Sequence, residues 1–335
     1  MRQLRVCIAK GKDMTGTIRD LARRVPGVVR SVRAMRCWRD GASSKMSRFI
    51  EGRLDTEYWR LHRFDALSGP YALGSHQNES YVVSASDRMI GRKLYSRGTF
   101  DLQKLLHTFE ILRAESPGVT IDGLFDVGAH VGSICIPALK RGMVKRAMAF
   151  EPDPGNFRLL RINSLLNGVE DRLDCHEVAL GEADGTAMLT FNAENHGDHR
   201  IVAATEHGAD SHEVPVRKLD SFIATCDGTW LVWLDVQGFE PDVLAGATRA
   251  LARRWPVVME FTPGDLMARG TLDALLALMA RSGYMRFFDL DDPRGSPAEA
   301  PLGSLGQLGE GLLARQAFTD LLFVAGASPV TRMTY

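Results

Sequence analysis

Leu124-Phe125-Asp126-Val127-Gly128-Ala129-His130-Val131-Gly132 decides how this chain reads. A short apolar run bounded by a glycine turn is the pattern of a buried strand. The glycines let the backbone come close to a ligand and let the following helix, expected to about Arg141, pack near the strand. The stretch lacks the Gly-x-Gly-x-x-Gly of nicotinamide enzymes, because Asp126 stands at the first glycine position and the remaining spacing differs. It also lacks the Lys-Ser/Thr of a phosphate-binding P-loop. An acid at that place suits a cationic ligand better than a pyrophosphate.

The same alternation continues downstream. Arg146–Phe150 reads as a second strand, and the loop Ala149-Phe150-Glu151-Pro152-Asp153 ends it. It follows the glycine turn by about 20 residues, where an acidic side chain can accept hydrogen bonds from both hydroxyls of a ribose. Helices are expected over 155–167, 239–253 and 272–281, and strands over 174–180, 230–236, 256–261, 284–290 and 320–325. A polar insertion, Asn192–His199, joins two short strands. Residues 291–311, rich in Gly, Pro and Ser, read as a loop. Repeated strand–helix units with continuous apolar strands imply a mostly parallel sheet covered on both faces. Ligands in such sheets bind beyond the carboxyl ends of the strands.

Upstream the pattern is weaker. The expected division is a basic, mainly helical N-terminal extension, 1–95, and a main domain, 96–335, entered by an amphipathic helix over Phe100–Leu112. Residues 1–60 hold 15 Lys/Arg against 6 Asp/Glu, and the whole chain has 41 of each, so the remainder carries the opposite net charge of nine. Such a segment docks on an acidic face of its own domain, or makes weak contact with an anionic membrane surface or a lipid-linked substrate. The balanced total disfavours a general polyanion binder, and nucleic acid is not an expected partner. The five cysteines, Cys7, Cys37, Cys135, Cys175 and Cys226, are widely spaced with no Cys-x-x-Cys. That pattern favours reduced thiols and a cytoplasmic location over a disulfide framework or zinc site. No apolar run of about 18 residues predicts a membrane span.

From Phe125 to Glu260 the chain resembles the FkbM family of methyltransferases. The stretches that carry the likeness are FDVGAHVGSICIPAL, AFEPDPGNFRLLRINSLLN, VALGEADG, VPVRKLDSFI, LVWLDVQGFEPDVLAGA and PVVMEF. Ser84–Gly98 also resembles the lead-in of such proteins. The resemblance implies a Rossmann-like class I methyltransferase fold with a mostly parallel seven-stranded sheet. It implies S-adenosylmethionine as cofactor and a hydroxyl of a sugar, glycan or secondary metabolite as acceptor. Carried over residue by residue, Asp126, Gly128, Ala129, His130 and Gly132 would line the cofactor's methionine part, and Glu151 with Pro152 its ribose. Asn163 falls on the helix that follows, with Asn167 as a helix C-cap.

Around the fourth strand the family has Lys-Ile-Asp-x-Glu-Gly-x-Glu, whereas this chain has Trp233-Leu-Asp235-Val-Gln237-Gly238-Phe-Glu240. A hydroxyl acceptor gains from a positioned base or a metal ion. Asp235 is the first candidate for base and Glu260 the second. Asp235 alternatively only orients the cofactor's amino group. The carboxylate pair could chelate a divalent cation such as Mg²⁺, although Gln237 removes one carboxylate from the pattern. No dedicated metal site is expected. His196, Asp198 and His199 form a polar cluster expected to help cover the acceptor. Two other classes share the fold: a nicotinamide-dependent oxidoreductase, and a cofactor-binding module that has lost activity.

Overall fold

In the computed structural model, the described residues are 57–190, 200–202, 211–292 and 297–325. The cluster at His196–His199, the basic segment as far as residue 56, and Cys7 and Cys37 lie outside them. The chain divides into two compact units, residues 1–60 and 61–335.

The elements are, in order, α1 (Glu57–Asp65), β1 (Tyr71–Ser75), β2 (Ser80–Ser84), α2 (Ile90–Arg97), α3 (Leu102–Glu115), β3 (Ile121–Val127), α4 (Cys135–Lys140), β4 (Arg146–Phe150) and α5 (Pro154–Leu166). Then come β5 (Leu173–His176), β6 (Ala179–Leu180), β7 (Gly185–Thr190), β8 (Arg200–Val202), β9 (Ser211–Arg217), β10 (Thr229–Leu234), α6 (Glu240–Ala245) and α7 (Thr248–Ala252). The last are β11 (Val257–Phe261), α8 (Pro263–Ala268), α9 (Leu272–Arg281), β12 (Tyr284–Asp289), β13 (Ala298–Pro301), α10 (Leu305–Leu313) and β14 (Thr319–Ala325).

The central sheet has the order β13-β12-β14-β11-β10-β3-β4-β5. Strands β5, β4, β3, β10 and β11 pair in parallel, and β14 is antiparallel to β11. The fold is the expected Rossmann-like one. It has eight strands where seven were expected, because Ala298–Pro301 pairs antiparallel with β12. The Gly- and Pro-rich composition of 291–311 concealed both this edge strand and helix α10. The helix expected over 239–253 is two short ones, broken at Gly246-Ala247. Strand 174–180 is likewise two, and its second half joins a separate four-stranded sheet of order β6-β9-β7-β8.

Both faces of the sheet are buried, which explains the unbroken apolar strands. On one face Phe125, Phe150, Val232 and Leu234 join the core, and Phe125 lies 4.9 Å from the Trp230 ring. On the other, Leu124, Ala149, Leu231 and Trp233 pack with α3, α4 and the β1–β2 hairpin. The three described cysteines are free thiols, with Cys135 and Cys226 buried. Among the described residues no helix is long and apolar enough to cross a membrane.

The hairpin of β1 and β2 is fastened by the two asparagines of α5. Asn163 Oδ1 accepts from Val82 N–H at 2.7 Å, and its Nδ2 donates to the Val82 carbonyl at 3.1 Å. Asn167 repeats this with Ser80, at 3.0 and 2.7 Å. Four residues of helix rise about 6.0 Å, and two residues of strand about 6.6 Å. Amides four apart on α5 therefore match backbone groups two apart on β2, and the helix acts as a neighbouring strand would.

Candidate active site

The sheet's strand order reverses direction between β3 and β10, which places a crevice at their carboxyl ends. The register sets Val127 beside both Phe150 and Leu234, so the loops after β3, β4 and β10 open at one level. There two cavities adjoin. A cleft of about 660 Å³ is lined by Asp126, Gly128, His130, Asp235 and Glu260 among others. A smaller one, about 60 Å³, shares Gly128, His130 and Asp235 with it and adds Glu151, Pro152 and the apolar run Val178–Leu180.

Local chemistry fixes each loop. Gly128 has φ 83°, and a Cβ there would stand 1.9 Å from the Asp235 carbonyl oxygen, so only glycine allows the two loops to touch. Glu151 is 5% exposed, and its two oxygens accept from the His130 N–H at 2.8 Å and the Asp153 N–H at 2.9 Å. Burial pushes its carboxyl up to about 8, against the pull of these backbone bonds. Asp126 accepts from the Cys135 N–H at 3.0 Å at the start of α4, and burial pushes it up to about 6.

The loop after β10 is shaped by Glu240, fully buried, whose Oε1 accepts from Val236 N–H at 3.1 Å and Gly238 N–H at 3.3 Å. It holds Gln237 at φ 53°, a left-handed conformation that costs a side-chain-bearing residue about 1 kcal/mol or more. This turns the Gln237 amide inward. Its Nε2 donates to Asp235 Oδ1 at 2.9 Å and to Glu260 Oε2 at 3.0 Å. Glu260 is raised far above the usual carboxyl range by burial, by Asp235 and by Asp320.

Sequence reasoning missed the cleft's far wall. Asp320 reaches it because β14 runs antiparallel, so its first residues sit at the edge where the parallel strands end; Glu260 and Asp320 are register partners. Lys104 of α3 forms an ion pair with Asp320 and lies 3.0 Å from Asp291 and 3.5 Å from Asp101. Burial opposes its charge, but Asp320 and Asp101 more than offset this, and its pKa is raised. Thr262, after β11, lines the cleft with a buried hydroxyl that has no hydrogen-bond partner. The lead-in forms another wall. Asp87 caps α2 by accepting from the Met89, Ile90 and Gly91 N–H groups at 3.0, 3.1 and 2.7 Å, and Met89 and Ile90 line the cleft.

Three expected cofactor contacts are absent from the linings of both cavities. Asn163 is fully buried with its amide committed to Val82 and, at 3.0 Å, to the Val131 carbonyl. Gly132 serves packing, since a Cβ there would meet Ile136 and Leu160 at 2.6 to 3.0 Å. Ala129 is buried at 2% exposure. Asn167 is the C-cap expected of it and also a rung of the hairpin clamp. For Mg²⁺ the donor set does not fit: the facing oxygens of Asp235 and Glu260 are already bridged by the Gln237 amide. Among the described residues no group of three or more His, Cys, Asp or Glu is arranged to hold a metal.

Residues 126–285 match the family described as the methyltransferase FkbM domain, which bears out the resemblance read in the sequence. The chain is 28% identical over 175 residues to the 2-O-methyltransferase NoeI of Sinorhizobium fredii (strain NBRC 101917 / NGR234), covering 45% of this chain and 70% of that protein. It is similar to the crystal structure of methyltransferase FkbM from Methylobacillus flagellatus KT, with TM-score 0.35 and 18% identity. That match covers 47% of this chain and spans only 37% of the other chain's length. A crystal structure of M. jannaschii TYW2 in complex with AdoMet aligns with TM-score 0.36 and 12% identity, over 78% of this chain and 90% of that one. Residues 126–285 are thus similar to a methyltransferase domain.

Proposed function

We propose that this chain is a methyltransferase that uses S-adenosylmethionine and methylates a hydroxyl oxygen of a sugar, glycan or secondary metabolite. The observation that carries the cofactor reading is Glu151. It is buried at the end of β4 and oriented by two backbone N–H groups, and it lines the small cavity beside Gly128. Each carboxylate oxygen keeps lone pairs for a ribose hydroxyl. The apolar Val178–Leu180 run suits an adenine ring, and Asp126 suits the cationic methionine end. The bound cofactor supplies an electrophilic methyl group on a sulfonium.

The chain's own groups then act on the acceptor. The larger cleft holds and aligns it, which is where much of the acceleration of an in-line transfer originates. Asp235, oriented by the Gln237 amide, takes the hydroxyl proton. Glu260, kept protonated by its burial and acidic neighbours, and the Thr262 hydroxyl serve as hydrogen-bonding partners for a polar acceptor. No step is routed through a metal. Gln237 also keeps a second reading open, that of a cofactor-binding module without activity.

Isothermal titration with S-adenosylmethionine, beside NAD and the Glu151→Ala variant, tests the cofactor. Above pH 8, where the Glu151 carboxyl is ionised, two hydrogen bonds to a charged group, at about 1.5–3 kcal/mol each, predict a loss of roughly a hundredfold or more in the variant. Preference for NAD, or equal affinity in the variant, overturns the reading.

A further inference from the structure

The main cleft carries more acids than bases. Six carboxyl groups line it, Asp101, Asp126, Asp235, Glu260, Asp265 and Asp320, against two lysines, Lys93 and Lys104. Glu260 holds a proton, because its burial and the neighbouring Asp235 and Asp320 raise it far above the usual carboxyl range. Five carboxylates then face two ammonium groups. Asp291, outside the cleft, also draws on Lys104 at 3.0 Å. The bound cofactor would bring one net positive charge to Asp126, from a sulfonium and an ammonium less a carboxylate.

Other cations do not close the gap. His130 Nε2 lies 3.6 Å from Asp87 Oδ2, so a proton on it offsets that carboxylate. Arg269 pairs with Asp242 at 2.8 Å. Arg97 and His107 line a separate hollow, where His107 is bonded to Gln103 at 2.8 Å. With Asp320, raised to about 7 by burial against the pull of Lys104, counted as neutral, and with Arg97 granted to Asp101 and Asp291, the cleft is still negative. Low-dielectric walls focus such a field on whatever enters.

Two further features of the cleft point to a ligand. The buried Thr262 hydroxyl lines it with no hydrogen-bond partner, a state that calls for a donor from outside the fold. Phe318 lines it while 57% exposed, and an aromatic face attracts a cation.

We propose that the methyl acceptor carries a protonated amine beside its hydroxyl, so that it is an amino sugar or amino polyol. This rests on the methyltransferase reading above. The ammonium has three donors and no acceptor, which matches a wall of carboxylates and one open hydroxyl. The same field repels a phosphate or carboxylate on the acceptor. It also keeps the amine protonated, so the nitrogen has no lone pair to be methylated. The hydroxyl oxygen bonds the methyl carbon as the carbon–sulfur bond breaks, and the hydroxyl proton passes to Asp235.

The test is calorimetric titration, at pH 7, of the full chain saturated with S-adenosylhomocysteine. The probes are 6-amino-6-deoxyglucose, glucose and glucose 6-phosphate, which differ in charge at one position. Hydrogen bonds to charged groups outweigh neutral ones, so the amine is expected to bind about tenfold more tightly than glucose, and the phosphate most weakly. Added salt narrows the difference. In Asp235→Asn, which removes one charge and keeps the shape, the amine's advantage falls by about fivefold, with circular dichroism showing the variant folded. Failure of the amine to bind, equal affinity for glucose, tightest binding of the phosphate, or an undiminished preference in the variant overturns the proposal. If S-adenosylhomocysteine binds in that experiment, the amine alone falls; if it does not, the methyltransferase reading falls.

Discussion

Replacing Gln237 by glutamate inverts the chemistry of the bridge between Asp235 and Glu260. The amide nitrogen now donates at 2.9 and 3.0 Å to two carboxyl oxygens. In Gln237→Glu an acceptor stands at the same distances. Two like unit charges that close repel by about 5 kcal/mol at an effective dielectric of 20. Keeping a glutamate protonated at pH 7 costs only about 4 kcal/mol, from 1.36 kcal/mol per unit above its ordinary 4.3. The proton therefore stays, and the variant is less stable at pH 7 by up to that amount. The sign follows from linkage. A carboxyl whose folded pKa is raised loses stability as pH climbs from its unfolded value toward its folded one. The penalty is thus small near pH 4.5 and grows through pH 7. A divalent cation can replace the proton, because three clustered carboxylates make a hard oxygen site. Thermal unfolding from pH 5 to 8, with and without Mn²⁺, reads both effects. Mn²⁺ is expected to raise the variant's midpoint at pH 8 and leave the unaltered chain unmoved. An unaltered chain stabilised by Mn²⁺ as much as the variant would refute the argument that the amide fills the cation's place.

Lys104→Met strips the shared ammonium from Asp101, Asp291 and Asp320. Breaking a buried pair of this kind costs about 3–5 kcal/mol. The loss is expected to be largest above pH 7 and to shrink toward pH 4, where Asp320, already pushed up by burial, takes a proton; urea unfolding at both pH values measures it. Asn163→Ala leaves the Val82 N–H and carbonyl unpaired, at about 1–3 kcal/mol each, so hydrogen exchange at Val82 should quicken well before that of β3. Adenosine carries no charge, so its affinity follows Glu151: with the carboxyl at about 8 in the free chain, binding should tighten as pH rises from 6 to 8 and then level off. In Glu151→Gln that slope should vanish.

The central strands were legible because their signal is local. Four consecutive buried side chains in β3, a glycine that touches the Asp235 carbonyl, and an acid at the end of β4 all follow from residues adjacent in the chain. The pairing of Asp126, Gly128, His130 and Asp235 around one cleft follows from parallel order and strand ends. Asn163 shows the limit of a pattern carried over by position: its place on the helix is readable, but its partner Val82 lies 81 residues upstream on β2.

What only the tertiary structure decided has one common cause, long-range contact with no periodic trace in sequence. Asp320 enters the site because an antiparallel strand presents its beginning where parallel strands present their ends. Lys104 meets it across 216 residues, and Gln237 finds Glu260 across 23. The sequence by itself determined the strands, the glycine turn and the acid that follows it, since each is set by local sterics and burial. Which charged side chains meet at the site was decided by the strand order and the reversal of β14.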